Sequence, residues 1–128
     1  MGKGLSLDSI DITPLLSEGT KIITSYSPSY FRVGEEKFEH NIIISPSICG
    51  KYQEIEDLEI HLAATSNIIL LYGVNDRERD DDFANELKKK FPDHNISLEI
   101  MPMRSAARTY NILVAEGRDV VAILELEK

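Results

Sequence analysis

Cysteine is almost missing from this 128-residue chain. Cys49 stands alone, which excludes an internal disulfide and any metal site built from several thiolates. Long apolar runs are missing as well: none approaches the ~20 residues that a membrane-spanning helix needs. The opening Met-Gly-Lys-Gly-Leu-Ser-Leu-Asp has a lysine but no apolar core of a secretory signal. Gly2 with Ser6 fits the bare myristoylation pattern, which is too short to carry weight. Positive charge is scarce, with 14 Lys and Arg against 22 Asp and Glu and a net charge of −8. A nucleic-acid backbone would be repelled by most of such a surface, and no basic stripe with interleaved aromatics offsets this. There is no Gly-x-Ser-x-Gly, no phosphate loop and no histidine-rich metal pattern. The three histidines, His40, His61 and His94, are widely scattered. Nothing in this pattern calls for a cofactor.

What remains is 42% hydrophobic, enough for one domain over 1–128 with its own core. Residues 1–12 lack periodicity and read as a loose arm. Leu15-Leu16 and Ile22-Ile23, on either side of Ser17-Glu18-Gly19, predict a first hairpin. A second is predicted from Tyr30–Val33 and Lys37–Ile44 around Gly34-Glu35-Glu36, closed by Pro46. Ile55, Leu58, Leu62 and Thr65 are spaced as one face of a helix over 54–65. Ile68–Tyr72 is a short, unbroken apolar run, the pattern of a strand buried on both faces.

Next, Asp80-Asp81-Asp82 opens a helix that Lys88-Lys89-Lys90 closes, the charge order that a helix dipole favours. The three aspartates read as solvated helix-start residues rather than metal ligands. Phe83, Leu87 and Phe91 form that helix's apolar stripe. Ile96, Leu98 and Ile100 alternate as a strand with one apolar face. Pro102 then blocks continuation of the strand, and Ser105 stands where an N-cap belongs. Ala106, Tyr110, Leu113 and Val114 line a helix that Gly117 stops. Val120–Leu124 is another doubly buried strand. The order strand, helix, strand, helix, strand predicts an α/β fold: three layers, with a central mixed but mostly parallel sheet flanked by helices, after an N-terminal antiparallel hairpin portion.

In such a sheet ligands bind beyond the carboxyl ends of the strands. Two loops should meet there, Gly73–Asp76 and Pro102–Ser105, the second feeding a helix N-terminus that favours an anion. Arg104 and Arg108, one turn apart, would form a fork for a carboxylate or phosphate. Ser105, Thr109, Asn111, Gly73 and Asn75 complete the candidate site. The competing role for Arg108 is an ion pair tying the helix to a neighbouring acid. No nucleophile–base pair is readable, so no catalytic residue is named.

Ser105-Ala-Ala-Arg-Thr-Tyr-Asn-Ile-Leu113, followed by Ala115-Glu-Gly-Arg118, resembles the signature of a small family of unknown biochemical activity. That family includes the mitochondrial complex I assembly factor three, an adipogenesis-associated cytoplasmic protein and many bacterial and archaeal hypothetical proteins. Weaker matches lie at Tyr30–Gly34, Asn41–Pro46 and the strand ending in Gly73. The resemblance implies a three-layer fold with a β-rich extra portion. It also implies a role in protein assembly or interaction, with a protein partner, no established catalytic residues and a cytoplasmic (in a eukaryote, matrix-side) location. This chain departs from the family in carrying Gly73-Val74-Asn75 where Gly-Thr-Gly is frequent, and Ala107 where Cys or Val is frequent. Two functions follow as expectations. One is a non-enzymatic interaction or assembly factor; the other is an anion-binding protein or cryptic enzyme that uses the Arg104/Arg108 helix start.

Overall fold

The computed structural model describes residues 19–63, 65, 67–75 and 81–127, with Asp81 described by its backbone alone. The arm expected over 1–12, and the Leu15-Leu16 half of the first expected hairpin, lie outside the described residues. Ile23 instead begins β1 (Ile23–Ser27), which pairs antiparallel with β2 (Tyr30–Val33) across Pro28-Ser29. β3 (Glu36–Phe38) completes a small antiparallel sheet in the order β1-β2-β3.

The run 37–44, expected as one strand, divides between two sheets. β3 ends at Phe38, and β4 (Ile42–Ile44) joins a five-stranded sheet. Burial accounts for the break: all of Ile42, Ile43 and Ile44 are buried, whereas Glu36 and Lys37 are exposed. Three adjacent apolar residues find two covered faces only inside the larger sheet. Asn41 fixes the crossing, since its carbonyl accepts the Tyr52 amide at 2.9 Å and its Oδ1 the Leu126 amide at 2.9 Å.

The larger sheet runs β5-β4-β8-β6-β7, with β5 (Cys49–Lys51), β6 (Asn67–Val74), β7 (Asn95–Pro102) and β8 (Val120–Leu124). β6 lies parallel to β7 and β8, while β4 is antiparallel to β8 and β5. The sheet is therefore evenly mixed rather than mostly parallel, because the doubly buried Ile42–Ile44 takes a place beside β8. β8, buried at every residue, is the middle strand. Its side chains alternate: Val120, Ala122 and Leu124 enter one apolar cluster, Val121 and Ile123 the other. The first cluster includes Phe31 and Val33 of the small sheet and Met103, Ala106, Tyr110 and Val114 of α3 (Met103–Ala115). The second includes Ile55, Leu58 and Leu62, and Phe83 and Leu87 of α2 (Asp81–Lys90).

The helix expected over 54–65 is a 3-10 turn, Ile55–Leu58, running into the short α1 (Glu59–Leu62). Asp57 Oδ2 accepts the amides of Gln53 (2.8 Å) and Glu54 (3.1 Å), which holds the entry tight. α3 starts two residues before the serine expected to cap it: Pro102 is the N-cap, and Ser105 lies in the first turn. Pro102 fits there because the orphan amide it lacks has no intrahelical acceptor in any case. At the other end Gly117, at φ 76°, donates to the Val114 carbonyl while Arg118 donates to that of Leu113. That pair of bonds is the Schellman stop that the glycine predicts.

Candidate functional site

The parallel strands β6, β7 and β8 end at Val74, Pro102 and Leu124, and α3 begins at the same end of the sheet. Residues 125–127 run on from β8 across the place where the mouth was expected. Glu125 donates its amide to the Gly73 carbonyl at 2.9 Å, and Glu127 to that of Pro28 at 2.9 Å. The Asn75 side-chain amide donates to the Leu126 carbonyl. Tyr72 Oη donates to Glu125 Oε2 at 2.9 Å. Arg104 Nε donates to Glu127 Oε2 at 3.0 Å, with its guanidinium 6.0 Å from the Tyr26 ring centre. The anion that meets Arg104 is thus a carboxylate of the chain's own segment 125–127.

Of the residues expected at the site, Gly73, Asn75 and Arg104 gather around that segment. Ser105 is half-buried one residue further along α3, and Thr109 is half-buried beyond it. Arg108 is exposed. Asn111 points to the small sheet instead: its Oδ1 accepts the Ile23 amide at 3.0 Å, and its Nδ2 donates to the Ile23 carbonyl at 2.8 Å. Tyr110 Oη beside it donates to the Lys21 carbonyl at 2.9 Å, and burial pushes that phenol up from its ordinary pKa. Together these two side chains fasten α3 to the start of β1.

Gly73 is a strand residue rather than a loop residue. A Cβ placed on it would stand 2.8 Å from the Ala106 Cβ and 3.0 Å from the Met103 Cα, so the glycine lets the first turn of α3 lie directly on β6.

Two arrangements had no warning in the sequence. Ser45 and His61, sixteen residues apart, form a hydrogen bond of 2.8 Å between Oγ and Nδ1. Burial lowers the imidazole to about 4, with Asp57 opposing. The pair has the atoms of a nucleophile and base, but the residues are only 7% and 8% exposed, which keeps substrate away and makes it a tie between the 45–48 turn and α1. The second arrangement is a groove of about 360 Å³ between α2 and β7, lined by Leu87, Lys88, Phe91, His94, Ile96 and Leu98 among others. His94 Nε2 is 3.2 Å from the Leu62 carbonyl, while its buried Nδ1 has no partner. Cys49 is half-buried, and desolvation raises its thiol to about 12, far from a reactive thiolate. Among the described residues no three His, Cys, Asp or Glu side chains converge as a metal site. Asp80 and the Asp81 side chain lie outside them.

A protein-family model for proteins of unknown function, DUF498/DUF598, matches residues 23–125. The chain belongs to that family. The match takes in every described strand and helix, including the Glu125 that begins the filling of the mouth. No curated protein matches the chain. The chain is also similar to solved structures. A Bordetella parapertussis protein is 26% identical over 87% of this chain and 99% of its own, with a TM-score of 0.64. An outer membrane protein from Bartonella henselae is 26% identical over 84% of this chain and 96% of its own, at 0.65. A Mth938-like domain from Bordetella pertussis is 20% identical over 88% and 89%, at 0.63. This is a mixed α/β fold of the Mth938-like kind, with two sheets and three helices among the described residues. None of those helices is long and apolar enough to cross a membrane.

Proposed function

We propose that this DUF498/DUF598 chain is a non-enzymatic protein-interaction or assembly module, of the kind that respiratory complex I assembly factors exemplify. It would act in the cytoplasm, or on the matrix side in a eukaryote, and its layers would be those of the three-layer plan. One observation carries the proposal: segment 125–127 occupies the mouth at the carboxyl ends of the parallel strands, where an enzyme of this architecture would hold substrate. The buried Ser45–His61 pair offers no substitute. Beyond Arg104, whose guanidinium meets Glu127, α3 presents Arg108 and Ile112, four residues apart and both exposed. A cationic and aliphatic stripe of this kind suits an acidic protein surface with an apolar centre.

The test is affinity capture from the source cells with the native chain and with Arg108→Glu/Ile112→Glu. A reproducible protein partner that the double variant loses is expected. Capture of nothing reproducible contradicts the proposal. So does thermal stabilisation by phosphate or an organic acid that Arg108→Ala abolishes, since that would mark a small-ligand site.

A further inference from the structure

β7 is the outermost strand of the five-stranded sheet, and no described strand pairs with its outer side. It runs for eight residues in unbroken register with β6, free of a bulge. The other sheet margins are protected differently: β5 and β3 have three residues each, and β1 carries a register break between Ile23 and Ser25. A long, regular margin is a template for another strand, which monomeric proteins usually spoil with bulges or shortness.

Its side chains say which strand fits. Ile96 and Leu98 pack on the α2 side of the sheet, and alternation puts Ile100 on that same face, where it is 38% exposed. The groove beside α2 flanks the first half of the strand, at Asn95, Ile96 and Leu98. A hollow walled in part by Leu87, Phe91, Ile96 and Leu98 at one end and a partly exposed isoleucine at the other are the two halves of an isologous contact.

We propose that the occupant is a second copy of this chain, with the two β7 strands paired antiparallel about a two-fold axis at Leu98. This goes beyond the assembly reading and uses a different surface. The register brings Ile100 beside the partner's Ile96, at the partner's groove, and sets Ser97 opposite the partner's Glu99. Asn95 meets the partner's Met101, and Pro102, with no amide to give, falls outside the paired stretch. An axis at Glu99 would instead oppose two carboxylates, and one at Ile96 would leave Ile100 uncovered. Pairing one strand with one strand is a small contact beside the ~1,000 Å² of a stable interface, so the dimer is a weak one.

Sedimentation equilibrium of the full chain from ~10 to ~500 µM reads it directly, and the average mass should climb from monomer toward dimer. Ile100→Lys, at an already exposed position, should weaken association about tenfold or more, while Ile60→Lys, exposed on α1, should not. Ser97→Glu should weaken it severalfold by facing the partner's Glu99, and Ser97→Lys should leave it intact or tighter. Amides of β7 should gain exchange protection with concentration. A monomeric mass throughout the range overturns the proposal, as does loss of the dimer in Ile60→Lys. Equal effects of the two Ser97 substitutions overturn the register.

Discussion

Two openings of the same sheet behave in opposite ways. At the carboxyl ends of β6 and β8, the mouth typical of an α/β fold is closed by Glu125–Glu127, through bonds to Gly73, Asn41, Asn75, Pro28 and Arg104. Along the outer side of β7 the backbone has no described partner, and a groove of mixed polar and apolar lining lies alongside. The difference teaches that topology places a crevice without saying what fills it. A short polar segment with spare amides and carbonyls can occupy a ligand's position, and a carboxylate on it can take a ligand's charge.

The attachment of α3 is where that comparison breaks most readily. Asn111→Ala should destabilise the protein by about 2–3 kcal/mol in urea unfolding, since both polar groups of Ile23 lose their partner. Gly73→Ala comes next, at about 1–3 kcal/mol, because the new methyl meets the backbone at Met103 as well as Ala106. The helix would have to lift from β6, loosening the filled mouth.

The pH dependence sharpens the contrast from the other face. His61 is held neutral in the folded chain, near 4, against an ordinary 6.5 when unfolded. Between those values the unfolded chain binds more protons. The stability tied to neutral His61 is therefore complete above pH 6.5 and drains away as the pH falls toward 4. A loss of about 2 kcal/mol is expected in denaturation midpoints over that window, and His61→Gln should flatten it. The smallest effect belongs to Arg104→Ala. Its pair with Glu127 is largely exposed and should be worth under ~1 kcal/mol, less in high salt. A large effect would mean that the charge pair, not the backbone bonds, closes the mouth.

Much of the scaffold was legible in the sequence. β6 and β8 announced themselves as unbroken apolar runs because both their faces are covered, and α3 announced its end because only a left-handed residue makes the Schellman turn at Gly117. The change of sheets at Glu39–Asn41 was hidden, since Lys37–Ile44 carries the composition of one strand and only the competition for two-sided burial divides it. The start of α3 was misplaced by a proline that breaks a strand and caps a helix equally well. The candidate site was the least legible part. Arg104, Gly73 and Asn75 do gather at the predicted end of the sheet, but each reaches a different group of the segment 125–127, the Glu127 carboxylate, the Glu125 amide and the Leu126 carbonyl, and nothing in their spacing gives those pairings. The Asn111 clasp and the Ser45–His61 tie join residues 88 and 16 positions apart, through contacts that only the folded topology creates.

Native-state hydrogen exchange of the Glu125 and Leu126 amides tests the filled mouth most directly. Bonded to Gly73 and to Asn41, they should exchange at rates approaching those of Val121 and Ile123 in β8. Exchange of both at the unprotected rate, with β8 still protected, would mean an open mouth, and the case for an interaction module over a ligand-binding one would fall with it.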